Sequence, residues 1–231
     1  MKAKDQIVPE QRTGKAIDAH AVLTLRSVDE AIAFFQVVRS RLQKINEWHH
    51  IADGISAEFR LTNSTGEFID RVPQKGDYFR IDIPGPGTKA GGGYDWVQIE
   101  EIMDKKSEEE DIYGLRVRPA SSPVDPGEDT AHFYSEESTS TFVVSRKGME
   151  VRAEIFDRNT KPNDEAGTTV DMIRDAVVGH AGVLGFSKVQ WKGLTEGLIG
   201  NVSDHIASSK EHPDRQGYHG TDKEEKLNPE E

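Results

Sequence analysis

Chemistry in this chain has to come from histidine, carboxylates, hydroxyls, lysine or arginine, because its 231 residues include no cysteine. Disulfides, thiolate nucleophiles and cysteine-ligated zinc or iron–sulfur centres are thereby excluded. The eight histidines invite a metal reading, but no two stand at the i, i+4 spacing that puts a zinc-binding pair on one helical face. His49 and His50 are adjacent and are expected to point in different directions; near a helix C-terminus their charge suits the helix dipole. His205, His212 and His219 recur every seven residues, but at the end of the expected last helix and in the polar tail. Neither a metal nor another cofactor is expected.

Nucleophile and phosphate motifs fail on similar grounds. Gly185-Phe186-Ser187-Lys188-Val189 lacks the second glycine of a nucleophile elbow. The glycine-rich segment 84–93 has no Lys-Ser/Thr pair opening a helix, and a strand pattern follows it, so it is neither a P-loop nor a dinucleotide fingerprint. It reads as a plain mobile loop, with a lid over a cavity mouth as the alternative. Carboxylates are so numerous that choosing two as acid and base would be arbitrary, and the catalytic residues stay unassigned. Arg80, Arg116, Arg118 and Arg152 alternate with apolar residues and are expected to face solvent; a one-residue register inversion would point them inward, toward a ligand carboxylate.

Asp and Glu total 41 against 29 Lys and Arg, a formal net charge of -12. That field repels phosphate backbones, and nucleic acid is not expected as a partner. No stretch reaches the roughly 20 apolar residues of a membrane span. The first residues are polar, without the apolar region of a secretory signal, so a cytoplasmic protein is expected, and the sequons at Asn63 and Asn201 carry no meaning there.

The elements that must position any site follow from periodicity. Residues 1–18 mix charge, Pro9 and Gly14 without a period and read as a loose lead-in. Ala21, Leu23 and Leu25 alternate as in a half-buried strand. Ser27-Val28-Asp29-Glu30 is a capping box, and Val28, Ala31, Ile32, Phe35, Val38, Leu42 and Ile45 then mark one helical face that continues to Trp48. From 55 to 158 the period becomes two. Ala57, Phe59 and Leu61 begin it; Phe79 with Ile81, Val97 with Ile99, Leu115 with Val117, Phe142 with Val144, and Val151, Ala153 and Ile155 continue it. Six or seven antiparallel strands in meander order are implied. The acidic run 104–111 reads as a solvated hairpin tip, since it lacks calcium-loop spacing. Thr168 or Thr169 can cap a helix; Gly182 and Gly185 predict a break, after which Ser187 caps a continuation carrying Trp191, Leu194, Leu198, Val202 and Ile206. Residues 208–231, charged and nearly without apolar side chains, read as a disordered acidic tail.

The strand-to-helix junction Leu25-Arg26-Ser27-Val28-Asp29-Glu30-Ala31 with Trp48, the glycine-rich connection 84–93, and the order strand, helix, six or seven strands, long helix resemble the START-related helix-grip superfamily, which includes polyketide-cyclase-like and pollen-allergen-like proteins. The resemblance spans about 19–207 and implies an α+β fold, in which a curved antiparallel sheet grips a long C-terminal helix. It implies further that the space between them binds a small apolar or amphipathic ligand. Phe79, Tyr94, Trp96, Phe142, Phe156 and Trp191 are then the candidate ligand-binding residues. A cyclase- or dehydratase-type enzyme on the same fold, and a protein-interaction module with a filled core, are the alternative readings.

Overall fold

The chain is described by a computed structural model covering residues 6–52, 57–83, 91–125, 132, 134–161 and 182–200. It separates after Gly200; the second unit, Asn201–Glu231, lies outside the described residues, and with it the tail expected at 208–231. The helix expected after Thr168 also lies outside them.

Within the first unit, strand β1 (Lys15–Thr24) leads into helix α1 (Val28–Gln43), a 3-10 turn (Ile45–Glu47) and the short helix α2 (Trp48–Ile51). Strands β2 (Glu58–Thr62), β3 (Tyr78–Asp82), β4 (Asp95–Lys106), β5 (Glu110–Pro119), β6 (Thr139–Lys147) and β7 (Glu150–Thr160) follow, and helix α3 (Gly182–Ile199) closes the described chain. All neighbouring strands are antiparallel, in the order β1-β7-β6-β5-β4-β3-β2. The meander from β2 to β7 thus ends beside β1. A curved sheet with helices on one face and a C-terminal helix held against it is the helix-grip arrangement expected from element order. Register shifts between Ile99 and Glu101 in β4, and between Lys15 and Ile17 in β1, add local bend and twist.

Local signals explain the boundaries. The Ser27 hydroxyl accepts from the Glu30 amide at 3.2 Å, while the Glu30 carboxylate accepts from the Arg26 amide at 3.0 Å, one residue short of the usual reciprocal partner. The buried stripe of α1 is Ala31, Phe34, Phe35, Val38 and Leu42. It is rotated from the expected stripe: Val28 is exposed, Ile32 half-buried, and Phe34 takes the core position. The helix also stops at Gln43 instead of running on to Trp48, so Trp48 enters the core from its own short helix. There it is fully buried, its ring 4.9 to 5.7 Å from Phe59, Phe79 and Phe142, with its indole N–H donating to the Leu42 carbonyl.

Order begins earlier than Ala19. β1 starts at Lys15, and the segment before it is tied to β7 by Asn159: its side-chain oxygen accepts from the amides of Arg12 and Thr13, and its amide nitrogen donates to the Glu10 carbonyl. Gly14, at φ +61°, passes so close to the Thr160 carbonyl that a Cβ would not fit. Ile7 is fully buried against Ile112 and Val143 on the sheet face away from the helices. An apolar residue isolated among polar ones gives no periodic signal, which is why this docking is invisible in the sequence.

The expected break at Gly185 and the cap at Ser187 are absent: α3 runs unbroken from Gly182, and Ser187 is a buried residue within it. The helical region expected to reach Ala207 stops within the described residues at Ile199. Gly200 follows at φ +70°, its amide returning to the Glu196 carbonyl in a left-handed cap. Arg41 donates from Nη1 to the Leu198 and Ile199 carbonyls, completing that end. Gly197 lies on α2: a Cβ there would sit 2.6 Å from the Ile51 carbonyl carbon and closer still to its oxygen. Backbone cannot step aside as a flexible side chain can. Gly197→Ala should therefore destabilise by about 1–3 kcal/mol, despite the gain of up to about 1 kcal/mol in helix propensity. A urea midpoint equal to or above wild type would show that α3 is not seated this way.

Candidate functional site

The two halves of α3 do different work. Leu194 and Leu198 are locked into the core near α2, whereas Ser187, Gln190 and Trp191 line a cavity of about 40 Å³ between α3 and the inner face of the sheet. Its walls are mostly apolar, from Phe59, Phe79, Ile81, Val97, Val117 and Phe142, all at inward positions of their strands. Trp191 closes one side, its ring edge-on to Phe142 at 5.3 Å. His132, Tyr134, Ser140, Ser187 and Gln190 supply the polar lining.

These polar groups fall into two linked sets. In the first, Asp157 is fully buried beneath the lining, with Ser140 Oγ donating to one carboxylate oxygen and Trp191 Nε1 to the other, each at 2.7 Å. Burial pushes its pKa up to about 6, although both hydrogen bonds and nearby Arg158 favour the charged form. In the second, the Tyr134 hydroxyl and Ser187 Oγ lie 3.0 Å apart, and His132 Nδ1 accepts from the Tyr134 amide at 2.9 Å. That bond assigns the proton to Nε2. Burial pushes His132 down to about 3 and Tyr134 well above the usual phenol range, the Asp157 charge adding to the latter. At neutral pH the cavity therefore offers a neutral imidazole, a phenol and aliphatic hydroxyls, backed by one carboxylate.

Of the aromatic residues named from the sequence, the structure brings Phe79, Phe142 and Trp191 together here. Tyr94, Trp96 and Phe156 do not line this cavity. Trp96 stands opposite Arg80 in the β3–β4 register and donates its indole N–H to the Gly91 carbonyl; Tyr94 lies over the Arg80 guanidinium; Phe156 packs with the Ile7 cluster on the far face. Strict alternation explains it, since Val97 and Ile155 point inward and their neighbours Trp96 and Phe156 must point away. The same rule would have found Asp157 and Ser140: each continues an inward apolar series, Val151-Ala153-Ile155-Asp157 and Ser140-Phe142-Val144. His132 and Tyr134 come from a connection and carry no periodic signal.

The sheet arginines lie on the face away from the cavity, so the inverted register is not realised: Arg116 and Arg118 bond Glu100, Arg152 bonds Glu150, and Arg80 lies against the Phe68 and Tyr94 rings. They are half-buried rather than fully solvated. The acidic run also departs from expectation at its end: the turn is exposed, but Asp111 is buried against Arg146. His49 and His50 do not diverge, as their ring centroids are 3.8 Å apart. Among the described residues no group of three or more His, Asp or Glu side chains is placed to hold a metal ion, and no helix is long and apolar enough to cross a membrane.

No family model and no curated protein matches the sequence. Similar solved structures include a hypothetical protein from Helicobacter pylori, with a TM-score of 0.43 and 11% identity over 79% of this chain and 87% of that one. A conserved protein from Geobacillus kaustophilus aligns with a TM-score of 0.39 and 10% identity over 84% of this chain and 97% of that one. Ara h 8.0201 aligns with a TM-score of 0.33 and 9% identity over 81% of this chain and all of that one.

Proposed function

We propose that this protein binds a small amphipathic molecule between the sheet and the first half of α3. The apolar body would rest on Phe59, Phe79, Phe142 and Trp191, and a neutral hydrogen-bonding head would meet Tyr134, Ser187 and His132. The observation that carries this reading is the cluster of neutral polar groups on an otherwise apolar wall. A carboxylate head is disfavoured, because Asp157 is ionised above about pH 6 and a second buried anion would repel it.

A space of about 40 Å³ admits a few water-sized groups, whereas a site for a drug-sized ligand encloses roughly 300–1,000 Å³. Binding therefore requires the Ser187–Trp191 turn to move off the sheet while the Gly197 end stays on α2. A second reading, an acid–base enzyme of the cyclase or dehydratase kind, is favoured by Asp157, whose carboxyl is poised near pH 6 and bonded to the lining hydroxyl of Ser140.

Native mass spectrometry of the purified chain for a co-purifying molecule, followed by a tryptophan-fluorescence titration with 2-naphthol, tests the binding reading. Saturable quenching is expected, and Ala57→Leu, which fills the cavity from its wall, should weaken it at least tenfold without unfolding the protein. An apo mass together with no saturable quenching would remove the pocket from consideration and leave the filled-core interaction module.

A further inference from the structure

On the opposite face of the sheet, we propose a second site: Arg80 forms a clip for the carboxylate of a small monoanion with an apolar body. Its guanidinium carbon lies 4.5 Å from the Phe68 ring centroid and 4.0 Å from that of Tyr94. Two aromatic contacts restrain the guanidinium while its N–H donors stay available to a ligand.

Every other sheet arginine among the described residues already bonds a carboxylate: Arg60 with Glu58, Arg116 and Arg118 with Glu100, Arg146 with Asp111, Arg152 with Glu150, and Arg158 with Asp18. Arg80 has no ion pair and no side-chain hydrogen bond among the described residues. In a chain of net charge -12, a sheet arginine whose guanidinium donors are unused among the described residues is suited to an anion. A planar fork of five donors matches a carboxylate through two parallel hydrogen bonds.

The surroundings set the ligand class. Arg80 opens into a groove of about 340 Å³, with Phe68, Tyr94, Val124, Gly66 and Asp125 on its walls. Phe68 and Val124 are 58% and 68% exposed, which is unusual for large apolar side chains beside a cation. An apolar body laid along them removes that surface from water. Polyanions are disfavoured, because Arg80 is a single charge, Asp125 lines the same groove, and the Arg60 charge directly opposite is taken up by Glu58.

The test is a titration of the isotope-labelled full chain followed by amide NMR, with benzoate, its uncharged analogue benzamide, and inorganic phosphate as probes. Benzoate should shift the Gly91, Gly92 and Tyr94 amides saturably, with a dissociation constant on the order of 1 mM for so small a ligand. Benzamide and phosphate should each bind at least tenfold more weakly. Arg80→Gln should weaken benzoate at least tenfold, and Arg80→Lys, which keeps the charge but loses the fork, severalfold. The proposal falls if benzoate gives no saturable shift, if the shifts centre on Ser187 and Trp191, if phosphate binds as well as benzoate, or if folded Arg80→Gln binds like wild type. Should Arg80→Gln unfold, the comparison of benzoate with benzamide on the wild-type protein still decides.

Discussion

His132→Asn should keep about 3 kcal/mol more of its neutral-pH stability at pH 4 than the wild type does, and Asp157→Asn about 2 kcal/mol less. The two buried groups act with opposite sign. His132 is held neutral, its pKa pushed by burial from 6.5 to about 3. The unfolded chain takes up that proton first, so the stability contribution is whole above pH 6.5 and is lost as pH falls toward 3. Asp157 is pushed from 3.8 up to about 6. The folded chain takes up that proton first, so stability is gained as pH falls through 6 toward 3.8 and is absent above 6. In the wild type the two largely offset one another between pH 7 and 4. Asparagine suits the test at position 132, since its side-chain oxygen can accept the Tyr134 amide in place of Nδ1. Urea unfolding of the three proteins at both pH values measures this; parallel changes in all three would mean that neither group is buried as described.

Arg146→Met should cost about 3–5 kcal/mol, the loss expected when one member of a buried ion pair is left without its partner. Arg146 is 1% exposed; its Nε donates to Asp111 Oδ2 at 2.7 Å, and its remaining nitrogens donate to the Ser107, Glu108 and Gly148 carbonyls. One side chain thus ties the β4–β5 and β6–β7 turns together. Deleting it strands a buried carboxylate whose other oxygen already lacks a partner among the described residues. Combining Arg146→Met with Asp111→Leu should recover much of the loss, because a matched apolar pair removes the isolated charge. A double variant no more stable than Arg146→Met would mean that the turn carbonyls, rather than the charge on Asp111, carry the cost.

Opposite signs at one cavity also bear on the binding reading. A ligand head that bonds neutral His132 and Tyr134 while avoiding Asp157 should bind more weakly once His132 is replaced, yet with little change between pH 6.5 and 8, where neither histidine nor tyrosine gains or loses a proton.

The sequence by itself determined the elements that local chemistry enforces. The Ser27 cap starts α1, period-two alternation marks the strands, and the absence of cysteine removes whole classes of chemistry. Alternation also bears on the site: a carboxylate continuing Val151-Ala153-Ile155 announces a buried charge at Asp157, and Trp96 beside inward Val97 points away from the cavity. What only the tertiary structure decided is which distant segments meet. His132 and Tyr134 reach the cavity from a connection, Trp191 meets Asp157 across 34 residues, and Arg146 finds Asp111 across 35. Ile7 docks on the far face through a cluster that no periodicity foretells, and Gly197 is required because the Ile51 carbonyl arrives there. The physical reason is that spacing along a chain records which face of its own element a residue occupies, whereas a partner's identity depends on how separate elements pack, and packing is a property of the whole fold.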